Sequence, residues 1–164
     1  MRKILAAFAG ASALLLVSGT AAFASGLHFF QNQDPQFQVS GNTISASGQV
    51  AGAGTYINAN LQANYTFPVS CYNPGNDAGP VPGHSGSGSA TGSTGPIQTN
   101  HGNATFNVSA TATPTVSGNP CPGSGWTYTT GPVTFSSATL TITSSNGGSL
   151  TCTYTVATGK ETCK

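Results

Sequence analysis

Charge is nearly absent from this chain. Its 164 residues include four Lys or Arg and three Asp or Glu. Binding nucleic acid requires a basic patch that exchanges counterions at phosphates, and no such patch is written here. Attraction to anionic lipid needs clustered Lys or Arg, and fails for the same reason. General acid–base catalysis has few candidates, because Glu161 is the only glutamate. Asp34 and Asp77 stand in turn-like contexts, where Asp usually bonds its own backbone. Ser87 lies in the low-complexity run Ser85-Gly86-Ser87-Gly88 and does not form a Gly-x-Ser-x-Gly nucleophile elbow. A non-enzyme is expected. No Cys-x-x-Cys pair is present, and nothing in the spacing gathers His28, His84 or His101 with Asp34 or Asp77. No metal or cofactor is expected.

The one long apolar run is at the start. Met1-Arg2-Lys3 is a short basic head, Ile4 through Val17 is apolar, and Ala22-Phe23-Ala24 fits a signal-peptidase site. The run is shorter than the roughly 20 residues a membrane span needs. Residues 1–24 are therefore read as a signal peptide and 25–164 as a single secreted domain, with no membrane partner after cleavage. That mature part keeps Lys160 and Lys164 against Asp34, Asp77 and Glu161, a net charge of −1. Low charge does not signal disorder here, since the polar residues are Thr, Ser, Asn and Gly rather than charged runs.

What the chain has is alternation. From Ile57 to Cys71 every odd position is apolar, and from Asn58 to Ser70 every even one is polar or Pro. Successive strand side chains point to opposite faces, so a period of two means one buried and one wet face. A bend or bulge is expected near Pro68, which cannot donate to a ladder. Asn103–Val116 repeats the pattern, with Ala104, Phe106, Val108, Ala110, Ala112 and Val116 in phase. Leu27–Phe30 reads as an edge strand, and Gln36–Val39 with Asn42–Val50 as a hairpin turning at Gly41-Asn42. Val133 and Phe135 start a strand whose phase slips at Ser136-Ser137, the mark of a β-bulge.

Parity registers the last hairpin. Burying Leu150, Cys152, Tyr154 and Val156 beside Leu140 and Ile142 demands an odd loop, expected to be Asn146-Gly147-Gly148 with a left-handed Gly. That sets Ile142 opposite Cys152, and Thr139, Thr141 and Thr143 opposite Thr155, Thr153 and Thr151. Residues 72–95, rich in Gly, Ser and Pro, read as a flexible loop. No helix of any length is expected after the leader. The expected fold is all-β: a two-sheet antiparallel sandwich of immunoglobulin-like type, about seven or eight strands, stapled by disulfides. A barrel is the structural alternative.

The cysteines are Cys71, Cys121, Cys152 and Cys163. An even count in an exported chain reads as disulfides, with three possible connectivities. Cys71–Cys121 and Cys152–Cys163 are favoured. The latter pair flanks a short hairpin, and the former two each open a loop containing Pro and Gly.

Tyr65, Cys71-Tyr72-Asn73-Pro74-Gly75, His101-Gly102-Asn103-Ala104 and Cys121-Pro122-Gly123 together resemble the pattern of a group of small secreted proteins of actinobacteria and other filamentous Gram-positives. The resemblance covers most of the mature chain through short motifs. It implies a sandwich and export, and no particular activity. The Cys152/Cys163 pair and the Gly/Ser segment depart from it. A weaker similarity, in composition and sandwich type, is to the two-disulfide apoproteins that carry enediyne chromophores.

Two functional classes follow. The first is a non-catalytic binding, adhesion or surface-matrix module, contacting polysaccharide, cell wall or its own copies. Trp126, Tyr128 and Tyr72 are its candidate contact residues, since aromatics can stack on sugar rings. The opposing and favoured reading packs Trp126 against a disulfide, as in immunoglobulin domains. Edge strands almost free of charge make self-association plausible. The second class is a small-molecule carrier, or an inhibitor or toxin-like sandwich. An exposed Trp126 favours the first and a deep apolar cleft the second. The Thr ladder also resembles some ice-binding arrays, although sheet twist works against flatness. The sequons at Asn64, Asn103 and Asn107 are read as chance in a Thr/Asn-rich strand.

Overall fold

The computed structural model describes residues 26–75 and 80–164, apart from the side chain of Asn32. The expected leader over 1–24 and the turn residue Asp77 lie outside these residues. In chain order the strands are β1 (His28–Phe29), β2 (Gln36–Ser40), β3 (Thr43–Ala51), β4 (Tyr56–Phe67), β5 (Val69–Tyr72), β6 (Val81–Pro82) and β7 (Gly86–Ser93). Then come β8 (Ile97–Gln98), β9 (Ala104–Thr111), β10 (Thr127–Thr130), β11 (Thr134–Ser144), β12 (Ser149–Thr155) and β13 (Lys160–Cys163). Among the described residues there are thirteen strand segments in place of the expected seven or eight; three of them are only two residues long, and Pro68 splits one long stretch into β4 and β5. The single helical turn among the described residues is a 3-10 one at Phe30–Asn32.

Every pairing is antiparallel. A four-stranded sheet places β1 and β2 on one side of β3 and β9 on the other. A six-stranded sheet runs β13-β12-β11-β4-β7, with β8 also on β4. A third, small sheet runs β10-β5-β6. The two large sheets face each other across one core, in which Ile44, Phe106, Ile57, Leu61, Phe67 and Leu140 are fully buried. The odd-numbered apolar residues of β4 are all buried, as their period of two requires. Pro68 ends β4, and the chain leaves the six-stranded sheet there to begin the small one. The register slip between Phe135 and Ser137 is the expected bulge.

The sheets meet along two sides. On one, Phe37 of β2 stacks on Tyr154 of β12 with ring centroids 4.7 Å apart. On the other, β9 lies against β7 so tightly that a Cβ on Gly92 would fall on the Ser109 carbonyl.

This second side corrects the reading of 72–95 as a flexible loop. Gly86–Ser93 is a regular strand, paired along β4 from Asn60↔Ser93 to Phe67↔Gly86. Its inward positions are Gly86, Gly88, Ala90 and Gly92. The Phe67 ring lies over Gly86 and the Tyr65 ring over Gly88, filling the space where a side chain would stand. Tyr65 Oη also donates to the Thr113 carbonyl at 3.0 Å. The alternation of Gly/Ala with Ser/Thr in Gly86-Ser-Gly-Ser-Ala-Thr-Gly-Ser is a strand pattern whose apolar bulk comes from the neighbouring strand.

The β11–β12 hairpin keeps the expected parity but not the expected register. Leu140 stands opposite Cys152 and Ile142 opposite Leu150, two residues from the expected pairing. Ser144 N–H bonds the Gly148 carbonyl at 2.9 Å, so the three-residue turn is Ser145-Asn146-Gly147, with Gly147 at φ +85. The turn is anchored from outside. Asn146 Nδ2 donates to the Gly52 carbonyl at 2.9 Å, and Ser145 Oγ accepts from Thr55 N–H at 2.8 Å. Parity cannot see such anchors, because every odd loop satisfies the same inside-outside pattern.

The disulfides join Cys71 to Cys121 and Cys152 to Cys163, and no cysteine is free. The first ties the small sheet to the loop before β10. The second joins directly opposed residues of β12 and β13. Two disulfides fit an oxidising compartment. Among the described residues no helix is long and apolar enough to cross a membrane.

Candidate functional site

The aromatic candidates meet at the small sheet, on two faces rather than one. Tyr72 stands opposite Thr127, and Tyr128 opposite the buried Cys71. Neighbouring residues along β5 point to opposite sides, so Tyr72 shares no face with Tyr128. A single platform of three rings is therefore not built. Tyr72 is 40% and Tyr128 45% exposed, and Val81, opposite Cys71 on β6, is exposed as well. Trp126 is neither free nor fully enclosed. It packs half-buried at the margin of the core, with its indole edge on Gly123. The loop holding it is braced by Asn119, whose side chain donates to the Gly123 carbonyl at 3.2 Å and accepts from Cys121 N–H at 3.1 Å.

The histidines stay apart. His28 Nδ1 is 2.8 Å from the Gly26 carbonyl. His84 begins the approach to β7, and His101 sits in the β8–β9 loop with φ +51. No group of three metal-capable side chains comes together among the described residues. Asp34 lies beside His28 and Lys164 in a small concavity next to Cys163, and Glu161 faces Tyr154 across β12–β13.

An organised array of polar side chains covers the outer face of the six-stranded sheet. Its even positions on β4 are Tyr56, Asn58, Asn60, Gln62, Asn64 and Thr66. The registers extend each of them into a row across the sheet. One row is Ser93–Asn60–Thr141–Thr151, and the next is Thr91–Gln62–Thr139–Thr153–Thr162. The third is Ser89–Asn64–Ser137–Thr155–Lys160. Strand spacing of about 4.8 Å and a two-residue repeat of about 6.8 Å make these rows a lattice of hydroxyl and amide groups. Every member before Lys160 is uncharged, and Lys160 and Lys164 stand at the β13 margin.

Side chains on this face bond one another across strands. Gln62 Nε2 donates to Ser89 Oγ at 3.2 Å, and Asn64 Nδ2 to Ser137 Oγ at 3.3 Å. A shallow groove of about 480 Å³ crosses β7, β4 and β11, lined by Asn60, Gln62, Thr91, Ser93, Thr139 and Thr141. The expected Thr ladder is present two residues out of register, as Thr139↔Thr153 and Thr141↔Thr151. It is interleaved with Asn and Gln and indented by the groove, which makes it less flat than an all-Thr array. Sequence reasoning recognises these residues as a wet face but does not assemble the rows, and it misses the β7 members altogether.

Chemically, hydroxyl and primary amide groups both donate and accept hydrogen bonds without carrying charge. Such a face suits a neutral, hydroxyl-rich partner. Comparison with known proteins found no matching family model, no similar curated protein and no similar solved structure.

Proposed function

We propose that this protein is a secreted, non-catalytic sandwich module that adheres to neutral polysaccharide through the outer face of its six-stranded sheet. The observation that carries this reading is the lattice of uncharged hydroxyl and amide rows around the groove between β7, β4 and β11. A charged polymer would find no counter-charge there, and a protein partner would find few of the apolar anchors that dominate protein interfaces. A sugar polymer offers many hydroxyls, each able to exchange water for Asn, Gln, Ser or Thr at little cost. Tyr56, exposed at the end of the β4 row, adds one stacking surface.

Export is supported by the basic-apolar-small leader pattern and by two disulfides. The paired antiparallel sheets support an immunoglobulin-like reading of the sandwich. The carrier alternative needs an apolar cleft between the sheets, and that space holds buried Phe67, Phe106, Ile44, Leu61 and Leu140 instead.

The test is co-sedimentation of the mature chain with insoluble neutral polysaccharides such as cellulose and chitin, at low and high salt. Binding is expected to be insensitive to salt, because no ion pairs form. Asn60→Ala with Thr139→Ala should weaken it at least about tenfold, whereas surface changes of this kind cost stability only about 0.5 kcal/mol. Trp126→Phe should leave it unchanged. Loss on Trp126→Phe with retention in the face variant would move the site to the small sheet and sink this reading.

A further inference from the structure

The six-stranded sheet ends differently on its two sides. At one end β13 is four residues long, carries Lys160 and Glu161, and is tied to β12 by a disulfide. These features discourage another strand from adding there. At the other end β7 is eight residues long, pairs among the described residues only with β4, and has no charge, Pro or bulge. That edge lacks charge, proline and bulge as protections, while β9 packs against the strand at Gly92.

Which backbone groups face outward is readable. Thr94 N–H bonds the Ala59 carbonyl at 2.9 Å, so residue 94 points its amide at β4. Antiparallel strands alternate in this respect, which turns Ser89, Thr91 and Ser93 outward. Among the described residues no backbone bond reaches these outward groups. Nearer its start, β7 is flanked by Thr115–Ser117, which share a concavity with His84–Ser87. The part of the edge whose outward backbone groups are neither bonded nor flanked by Thr115–Ser117 is therefore Ser89–Ser93, with β9 packed against the strand at Gly92.

We infer that this edge pairs with the same edge of a second copy, in a two-fold antiparallel ladder centred on Thr91. A copy of the chain offers the same open length of outward amides and carbonyls, so Thr91 meets Thr91 and Ser89 meets Ser93. Three such pairs exchange about six backbone hydrogen bonds. Side chains at the seam are Ser, Thr, Gly and Ala, so neither bulk nor like charge opposes the approach. With three acids and two lysines in residues 25–164, the copies also repel each other little. The pairing joins the two outer faces edge to edge into one surface whose rows are uncharged up to the Lys160 at each far margin. It holds whether or not that surface binds polysaccharide.

Sedimentation equilibrium of the mature chain tests it, together with amide hydrogen exchange at low and high protein concentration. A monomer–dimer equilibrium is expected, with exchange at Ser89, Thr91 and Ser93 slowing as the dimer forms and β13 unaffected. Thr91→Lys places two like charges opposite each other at the centre and should weaken dimerisation at least about tenfold. Ser149→Lys, on the same face but on β12, should leave it intact. Strict monomer up to about 1 mM overturns the inference. So does a dimer whose formation leaves those three amides unprotected, or one indifferent to Thr91→Lys.

Discussion

The two sides on which the sheets meet are closed by opposite means. At β2–β12 the gap is bridged by rings, Phe37 lying parallel to Tyr154. At β7–β9 the gap is removed by deleting side chains, so that Gly92 lets one backbone touch another. The ring side is adjustable, because side chains can change rotamer and neighbouring residues can follow. The glycine side is not, since the group in contact is a carbonyl held in the β9 ladder. A sandwich can therefore be closed by apolar mass or by its absence, and the two carry different tolerances to mutation.

Three predictions probe that difference, beginning with the largest single-residue effect. Gly92→Ala should destabilise the fold by about 3 kcal/mol, because the new Cβ can be relieved only by shifting backbone. The sign is informative. Gly92 has no left-handed φ, and at an unobstructed strand position the same change would stabilise by about 0.4–1 kcal/mol through the unfolded chain. A urea titration showing stabilisation would mean that the glycine side is slack.

Next, replacing Cys152 and Cys163 by Ser should cost about 3 kcal/mol by loop-closure entropy over their 11-residue separation. The same change at Cys71 and Cys121, 50 residues apart, should cost about 4 kcal/mol. Thermal melts of the two variants give the order, and equal losses would show that loop closure does not govern what the bridges contribute. The smallest effect belongs to the rings. Phe37→Ala should cost about 1–2 kcal/mol, combining a half-buried side chain with one stack. A loss matching that of Gly92→Ala would erase the contrast between the two sides.

The candidate face was partly legible in advance. Asn58, Asn60, Gln62 and Asn64 could be put on a wet face by parity, and so could Thr139, Thr141, Thr151 and Thr153. Their assembly into rows could not, because register depends on where the chain turns, and the β11–β12 turn is set by Asn146 and Ser145 bonding to the distant Gly52–Thr55 loop. Ser89, Thr91 and Ser93 escaped for another reason. Alternation is normally recognised by large apolar side chains, and β7 has glycine at three of its four inward positions. The aromatic trio failed as a platform because Tyr72 and Tyr128 differ in parity across β5–β10, a fact hidden until the pairing Tyr128↔Cys71 is known.

Some features follow from the chain alone. Alternation over Ile57–Cys71 and Ala104–Ala112 determines an all-β fold with one buried face per strand, since no helix could gather those residues. Pro68 determines where β4 ends, because it lacks an amide, and the phase slip at Ser136-Ser137 determines the bulge. The near absence of charge leaves the wet strand faces to Thr, Ser, Asn and Gln. Tertiary structure decided the rest. It fixed the favoured disulfide pairing among the three possible, moved the hairpin register by two, and made Gly86–Ser93 a strand instead of a loop. In each case the deciding group lies far away in sequence: Cys121 for Cys71, the Gly52 carbonyl for Asn146, the rings of Tyr65 and Phe67 and the Ser109 carbonyl for the glycines of β7. Local pattern tells which way a side chain points, whereas only packing tells what it meets.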